Sequence, residues 1–246
     1  EPKIGMHGSG RNSGVLHSGI YYPSDTLKAK FCSEGSKLMA SYCEKYNLPL
    51  MKCGKVILPT KSEDEDQIDL LYKRGVKNGA SVKIISQKEL REIEPEASTI
   101  AQRALYSPNT SVIDPYAVLS KIQSELNNSD VIILFNEKVI SANPDQSTIT
   151  TNKDNNFKYK HLINCTGQYS DVVSKLFNVG KKYTLLPFKG LYYGLSKNSN
   201  IRLNGLIYPV PDLSVPFLGI HSVKLVNGSV YFGPTAIPAF GRENYQ

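Results

Sequence analysis

The sequence is poor in the residues that announce a covalent scaffold or a metal centre. Cysteine occurs four times, as Cys32, Cys43, Cys53 and Cys165, and no pair has the C-x-x-C spacing. That excludes a zinc ribbon or a dithiol redox motif, and the number is too low for a disulfide framework, so buried thiols in a reducing compartment are expected. No metal site is expected: the acidic run Glu63-Asp64-Glu65-Asp66 sits where a helix should begin, and carboxylates there complement the helix dipole. No stretch reaches the roughly eighteen apolar residues that a membrane-crossing helix needs, and no signal peptide is visible. A G-x-G-x-x-G following a strand is missing, and the chain opens on Glu1-Pro2-Lys3 without a methionine. Internal repeats and low-complexity tracts are absent. So is any long basic run, although the net charge is +7. Lysines that alternate with acids argue against nucleic acid as a partner. The surplus suits an anionic substrate or cofactor, or weak attraction to acidic lipid surfaces.

What the chain does contain is an unusual amino-terminal loop. Residues 8–22 hold four glycines and three serines, too many for a helix, in which each interior glycine costs about 1 kcal/mol relative to alanine. Glycine lets a backbone approach something flat or anionic, because no Cβ intervenes. Arg11, Asn12 and His17 lie among these glycines, and the loop runs out into Val15-Leu16 and Ile20-Tyr21-Tyr22. A loop that opens in glycine and closes in bulky apolar residues is being held against a core.

With 246 residues, 40% hydrophobic and 21% charged, the chain can bury one large core or two smaller ones. Helical spacing of Leu27, Phe31, Leu38 and Tyr42 marks a helix over 26–46, stopped by Asn47-Leu48-Pro49. A strand follows over 51–59 with Gly54 as a bulge or close approach, then a helix through Ile68, Leu71 and Tyr72, and a strand over 82–85. Ser86-Gln87-Lys88-Glu89 has capping-box spacing and opens a helix closed by Pro95. Extended pieces at 104–106 and 111–113 flank a Pro108-Asn109 turn, and Asp114-Pro115 begins a helix reaching about Asn127. The uninterrupted apolar run Val131-Ile132-Ile133-Leu134-Phe135 is expected to be a strand buried on both faces, in a meander with 139–140 and 147–151. Strands that come too close together for pure βαβ winding predict two domains of mixed type.

Four blocks carry a family resemblance. They are SGRNSGVLHSGIYYPSDTLKAK (residues 9–30), LINCTGQYSD (162–171), PFKGLYYGL (187–195) and YPVPDLSVPFLGIHSVKLVNGSVYFGP (208–234). In content and order they resemble the L-2-hydroxyglutarate dehydrogenase/oxidase family, flavoproteins of the D-amino-acid-oxidase-like superfamily. The resemblance covers nearly the whole chain. It implies an α/β fold, an incomplete FAD-binding Rossmann-like domain with an inserted α+β substrate domain. The implied division is 1–46 and 113–182 for the FAD domain, 47–112 and 183–246 for the substrate domain. It also implies a fragment that lacks the first pyrophosphate cradle and a last flavin-contacting segment.

The resemblance makes FAD the cofactor and a small 2-hydroxy dicarboxylate the substrate. Its implied cofactor contacts are Ser9, Gly10, Arg11, Asn12, Ser13 and Gly14 in the loop, Val139 beside the adenine, and the Thr166-Gly167 turn. The carboxylates of the substrate need donors, for which Arg11, Lys189, Tyr192, Tyr193 and Arg242 are candidates. Oxidising a carbinol removes a hydride, which a flavin accepts, and a proton, which a histidine near neutrality suits. Of the four histidines, His7 and His161 have polar or basic neighbours and read as structural or exposed. His17 sits in the loop and His221 in an apolar strand over 217–222. These two are the catalytic candidates, and the residues do not say which is the base. Where the family has His-Phe-Thr this chain has His221-Ser222-Val223, which leaves the 2-hydroxy acid itself open. An enzyme of the same superfamily acting on an amino acid or glycerol 3-phosphate is the alternative, and a non-catalytic basic binding module is a third reading. The electron acceptor, quinone or another, is not legible. The family's locations are bacterial cytoplasm or the inner-membrane periphery, and mitochondria.

Overall fold

Side-chain caps and positive-φ turns set the element boundaries in the computed structural model, which describes residues 1–215, 217 and 219–245. After β1 (Val15–Leu16), the Thr26 hydroxyl accepts the amide of Ala29 and starts α1 (Leu27–Lys45). Asn47, at φ 52°, ends it. The expected strand over 51–59 is divided by Gly54, at φ 70°, into β2 (Leu50–Lys52) and β3 (Lys55–Leu58), which join different sheets. Glu63 and Asp64 of the acidic run lie in a short 3₁₀ turn, and Glu65 and Asp66 open α2 (Glu65–Lys77). β4 (Lys83–Ser86) runs directly into α3 (Gln87–Ile93), where Ser86 and Glu89 form both bonds of the capping box. β5 (Arg103–Ser107), β6 (Ser111–Ile113) and α4 (Pro115–Asn127) follow, with Asp114 capping α4. Next come β7 (Val139–Asn143), β8 (Thr148–Thr151), β9 (Asn156–Lys158) and α5 (Ser170–Leu176). The last strands are β10 (Phe188–Lys189), β11 (Tyr193–Gly194), β12 (Leu206–Pro209), β13 (His221–Lys224), β14 (Val230–Gly233) and β15 (Ile237–Pro238).

The chain packs as two compact units, residues 12–118 with 190–236, and residues 1–11 with 119–189 and 237–246. One boundary falls inside the glycine loop, between Arg11 and Asn12, whereas the family resemblance implies divisions at 46, 112 and 182. The unit of 12–118 and 190–236 is built on a seven-stranded sheet of order β11-β14-β13-β12-β3-β5-β4, antiparallel except for the parallel pair β12–β3. A second sheet, β1-β6-β2, joins the end of the glycine loop to it. Strand alternation divides the core. Val56, Leu58, Ile85 and Ala104 pack with Leu90 on one side of the large sheet, while Ile57, Leu206, Tyr208 and Val223 pack on the other with Ile20, Tyr21, Ile68 and Leu71.

The other unit contains the antiparallel meander β7-β8-β9, the pair β10-β15 and α5. Here the sequence reading needs a correction. Residues 131–135 are not a buried strand: they form no ladder, and Ile132 is 83% exposed. The meander pairs within itself instead, and 159–164 is likewise irregular, with Ile163 83% exposed. An apolar run becomes a strand only where neighbours satisfy its backbone, and none of the described residues supplies them.

Candidate active site

The site begins with the register of β3. Alternation places Lys55 on the same face as Ile57, and the parallel pairing sets Lys55 against Leu206 and Ile57 against Tyr208. Tyr208 therefore shares that face, as does His221, two residues before the core residue Val223. The segment leaving the glycine loop brings His17 and Tyr21 to the same cluster. The Tyr208 and His221 rings stack at 3.9 Å and 20°. His17 meets Tyr208 edge-on at 5.9 Å and Tyr21 at 6.3 Å. Lys55 Nζ lies 4.6 Å from the ring centre of Tyr21 and 5.0 Å from that of Tyr208. Both histidines singled out in the sequence thus reach one buried face.

Four polar atoms in this cluster are sealed from solvent without a hydrogen-bond partner among the described residues: His17 Nδ1, Tyr21 Oη, Lys55 Nζ and Tyr208 Oη. Orphans of this kind are rare in native proteins and call for an explanation. His221 differs. Its Nδ1 donates to the Gly219 carbonyl at 2.8 Å, which leaves Nε2 as the ring's lone-pair nitrogen. Cys32 donates its thiol hydrogen to the His17 carbonyl at 3.0 Å and so pins the loop exit.

Burial dominates the electrostatics. It pushes the His17 imidazole down to about 3, helped by the nearby Lys55 charge, and His221 down to about 4 against the raising effect of its bond to Gly219. Both rings are neutral at pH 7, able to accept a proton but far below the neutral range expected of a free base. Burial also lowers the Lys55 ammonium to about 7, and it raises the hydroxyls of Tyr21 and Tyr208.

The other expected site residues lie as follows. Tyr192 is close to Tyr208, and its hydroxyl is raised by burial, whereas Tyr193 is 73% exposed on β11. Asn12 Oδ1 accepts the Gly14 amide at 2.9 Å, and Gly14, at φ 69°, presses so closely on Ile113 that a Cβ would stand 2.2 Å from its carbonyl oxygen. Ser13 is half-buried beside them.

In the unit containing residues 1–11, Ser9 and Gly10 lie in a turn closed by Gly10 N–H on the His7 carbonyl. Arg11 donates to the Met6 carbonyl and lies 3.9 Å over the Tyr245 ring. His7 Nε2 donates to Glu1, and its Nδ1 accepts from Gln168 Nε2 at 2.9 Å, which brings this half of the loop beside the Thr166-Gly167 turn. The Thr166 hydroxyl donates to Asn164 Oδ1, and Gly167 takes φ 54° with nothing within 4 Å of where a Cβ would stand. Val139 begins β7 at a bulge. Lys189 donates to Asn244. Arg242 is committed to a bidentate pair with Asp171 at 2.8 Å, which holds that carboxyl down to about 2, and it also bonds the Gln168 carbonyl. Glu1, His7 and Glu243 cluster closely enough to share an ion, but they are exposed or half-buried and bonded to neighbours, and they are assigned none. A groove of about 660 Å³ lined by Ser86, Gln87, Lys88, Arg91, Glu92 and Gln102 contains none of the expected residues.

A family model described as FAD dependent oxidoreductase matches residues 1–246. The chain belongs to that family. L-2-hydroxyglutarate dehydrogenase of Indibacter alkaliphilus is 36% identical over 253 residues, covering 100% of this chain and 62% of the relative. The human mitochondrial L-2-hydroxyglutarate dehydrogenase is 32% identical, with 100% and 56% covered. The Escherichia coli L-2-hydroxyglutarate dehydrogenase is 31% identical, with 98% and 57% covered. The chain thus spans about three fifths of the length of the curated relatives it matches. Among solved structures, an FAD-bound L-alpha-glycerophosphate oxidase from Mycoplasma pneumoniae superposes with TM-score 0.79 at 24% identity, covering 96% of this chain and 63% of that one. Glycine oxidase from Geobacillus kaustophilus does so at 0.78 and 16%, covering 95% and 62%. These last two likenesses show the fold.

The residues present fit the family's cofactor. Gly8 and Gly167 have nothing within 4 Å of a Cβ position and so leave backbone open to a flat group, whereas at Gly10 and Gly14 that space is taken by the Gly5 and Ile113 carbonyls. Sequence reasoning missed Lys55, Tyr21 and Tyr208. For Lys55 the signal was available: a lysine two residues before Ile57 in an apolar strand must face the same way.

Proposed function

We propose that this chain is part of a flavoenzyme that oxidises L-2-hydroxyglutarate, or a closely similar 2-hydroxy acid, to the 2-oxo acid. The observation that carries the reading is the convergence of His17, His221, Lys55 and two tyrosines on one buried face, with polar atoms that have no protein partner. The substrate class is supported by whole-chain identity to the L-2-hydroxyglutarate dehydrogenases. FAD, when bound, supplies the hydride acceptor. Ser9, Gly10, Arg11, Asn12, Ser13 and Gly14, with Val139, Thr166 and Gly167, are the residues proposed to hold it.

The chain's own contribution is to place and relieve the substrate. His221, fixed through Nδ1 by the Gly219 carbonyl, presents Nε2 to the hydroxyl and takes its proton. His17, neutral and buried, orients that hydroxyl or exchanges roles with His221. Tyr192 is retained as a donor to the substrate. Tyr193, Lys189 and Arg242 stay candidates, with Arg242 requiring release from Asp171. Closure of the apolar face around the cluster excludes water from the reacting carbon. No helix among the described residues is long and apolar enough to cross a membrane. The +7 charge suits peripheral attraction to an anionic surface.

The test is the flavin spectrum of the full-length protein under anaerobic conditions. L-2-hydroxyglutarate should bleach it within seconds, while the D enantiomer, glycine and sn-glycerol 3-phosphate should not. Bleaching by one of the last two alone would replace the substrate assignment with that of the amino-acid or glycerol-phosphate branch.

A further inference from the structure

Lys55 is the least explained residue in the molecule. Its side chain is 1% exposed, no carboxylate among the described residues lies within 4.0 Å of Nζ, and that nitrogen has no hydrogen-bond partner. The groups facing it are the Tyr21 and Tyr208 rings, with the Cys32 thiol and the two histidines nearby. Two ring faces attract a cation only weakly, and an unpaired buried ammonium is strongly unfavourable. Nothing in the packing needs a charge there: the same face is filled by Ile57, Leu206 and Val223. The hydroxyls of Tyr21 and Tyr208, borne by the two rings that Nζ faces, are orphaned as well, so three groups able to donate share one cluster with no hydrogen bond made by any of them. An anion with several oxygens is the chemical complement of that arrangement.

We propose that Lys55, with the hydroxyls of Tyr21 and Tyr208, binds an anionic group of the substrate, a carboxylate in the reading above. This assignment rests on the proposed function for the identity of the anion, and on the geometry alone for its location. It explains why a cation is kept on an apolar face. The depressed proton affinity of the free ammonium agrees with a site that awaits its counter-charge.

The experiment uses the full-length flavoprotein with FAD bound. Calorimetric titration gives Kd for 2-oxoglutarate, sn-glycerol 3-phosphate and glycine in the wild type, Lys55→Met and Lys55→Gln. Removing a charge-assisted hydrogen bond should weaken the anion that the wild type binds by about 10- to 100-fold. Flavin content should not change, and the melting temperature of Lys55→Met should equal or exceed that of the wild type, because an unpaired buried charge has gone. Should Lys55→Met not fold, Lys55→Gln and Tyr208→Phe carry the comparison. A Kd within about twofold of wild type in a folded variant overturns the assignment, as does a loss confined to kcat. Binding of glycerol phosphate in place of 2-oxoglutarate removes the substrate reading, yet supports the Lys55 assignment if the variant loses it. Binding of none of the three overturns both.

Discussion

Every buried hydrophobic side chain among the described residues belongs to the unit of 12–118 and 190–236. In the other unit, the buried side chains are Thr151 and Asp171, and Ile132, Ile163 and Leu186 are 83%, 83% and 76% exposed. Each contains an apolar run in sequence, Val56-Ile57-Leu58 in one and Val131-Ile132-Ile133-Leu134-Phe135 in the other. What separates them is pairing: β3 finds β5 and β12, whereas 131–135 finds no strand. Hydrophobicity states how much a segment would gain from burial, and backbone partners decide whether the gain is realised.

The largest effect that sharpens this contrast comes from truncation. Leu105→Ala or Ile57→Ala should cost about 2–5 kcal/mol in urea unfolding, the usual range for a fully buried site. Ile132→Ala and Ile163→Ala should stay within about 0.5 kcal/mol. A cost above about 1 kcal/mol at Ile132 would mean that this run is covered in the protein and would dissolve the contrast.

The glycine loop repeats the comparison on a smaller scale. Gly14→Ala meets both a left-handed backbone and the Ile113 carbonyl, and should cost about 2–3 kcal/mol or more. Gly8→Ala meets open space. It should leave thermal stability unchanged while weakening FAD retention, measured as flavin released on dilution.

Acid and base titrations separate the buried cluster from the rest. His17 and His221 have folded values of about 3 and 4, below the ordinary 6.5. Between 6.5 and its folded value each ring binds more protons in the unfolded chain, so stability must fall by about 1.4 kcal/mol per pH unit as pH drops from 6.5, down to about 4 for His221 and about 3 for His17. Phenylalanine at either position should flatten that slope in equilibrium unfolding. Lys55 has a folded value of about 7 against 10.5. By the same rule stability rises from pH 7 to 10.5, and Lys55→Met should abolish the rise. The smallest effect concerns Asp171, held near 2 by Arg242. Its contribution is present above its ordinary 3.8 and disappears as pH falls through 2, and Asp171→Asn should remove that step.

Much of the fold was legible because it is local. The Ser86–Glu89 capping box, the Asp114-Pro115 helix start and the Asn47 stop act within four residues of one another, and each stands in the structure. The fate of 131–135 was not legible, since it depends on partners far along the chain. The candidate site divides in the same way. His17 and His221 stood out by rarity and setting. Tyr208 and Lys55 meet only through the parallel pairing of β3 with β12, about 150 residues apart in sequence, and no local pattern marks that pairing. Gly54 added to this by dividing what reads as one strand into two that serve different sheets.

The central claim is that the Lys55–Tyr208–His221 face is where the hydroxy acid reacts. Its most direct measurement is the rate of anaerobic flavin reduction by saturating L-2-hydroxyglutarate in the full-length protein, with His17→Phe and His221→Phe beside wild type. The account predicts a fall of about 10²- to 10⁴-fold in at least one variant, the usual contribution of a general base, with FAD content and melting temperature retained. Rates within about threefold of wild type in both variants would contradict it.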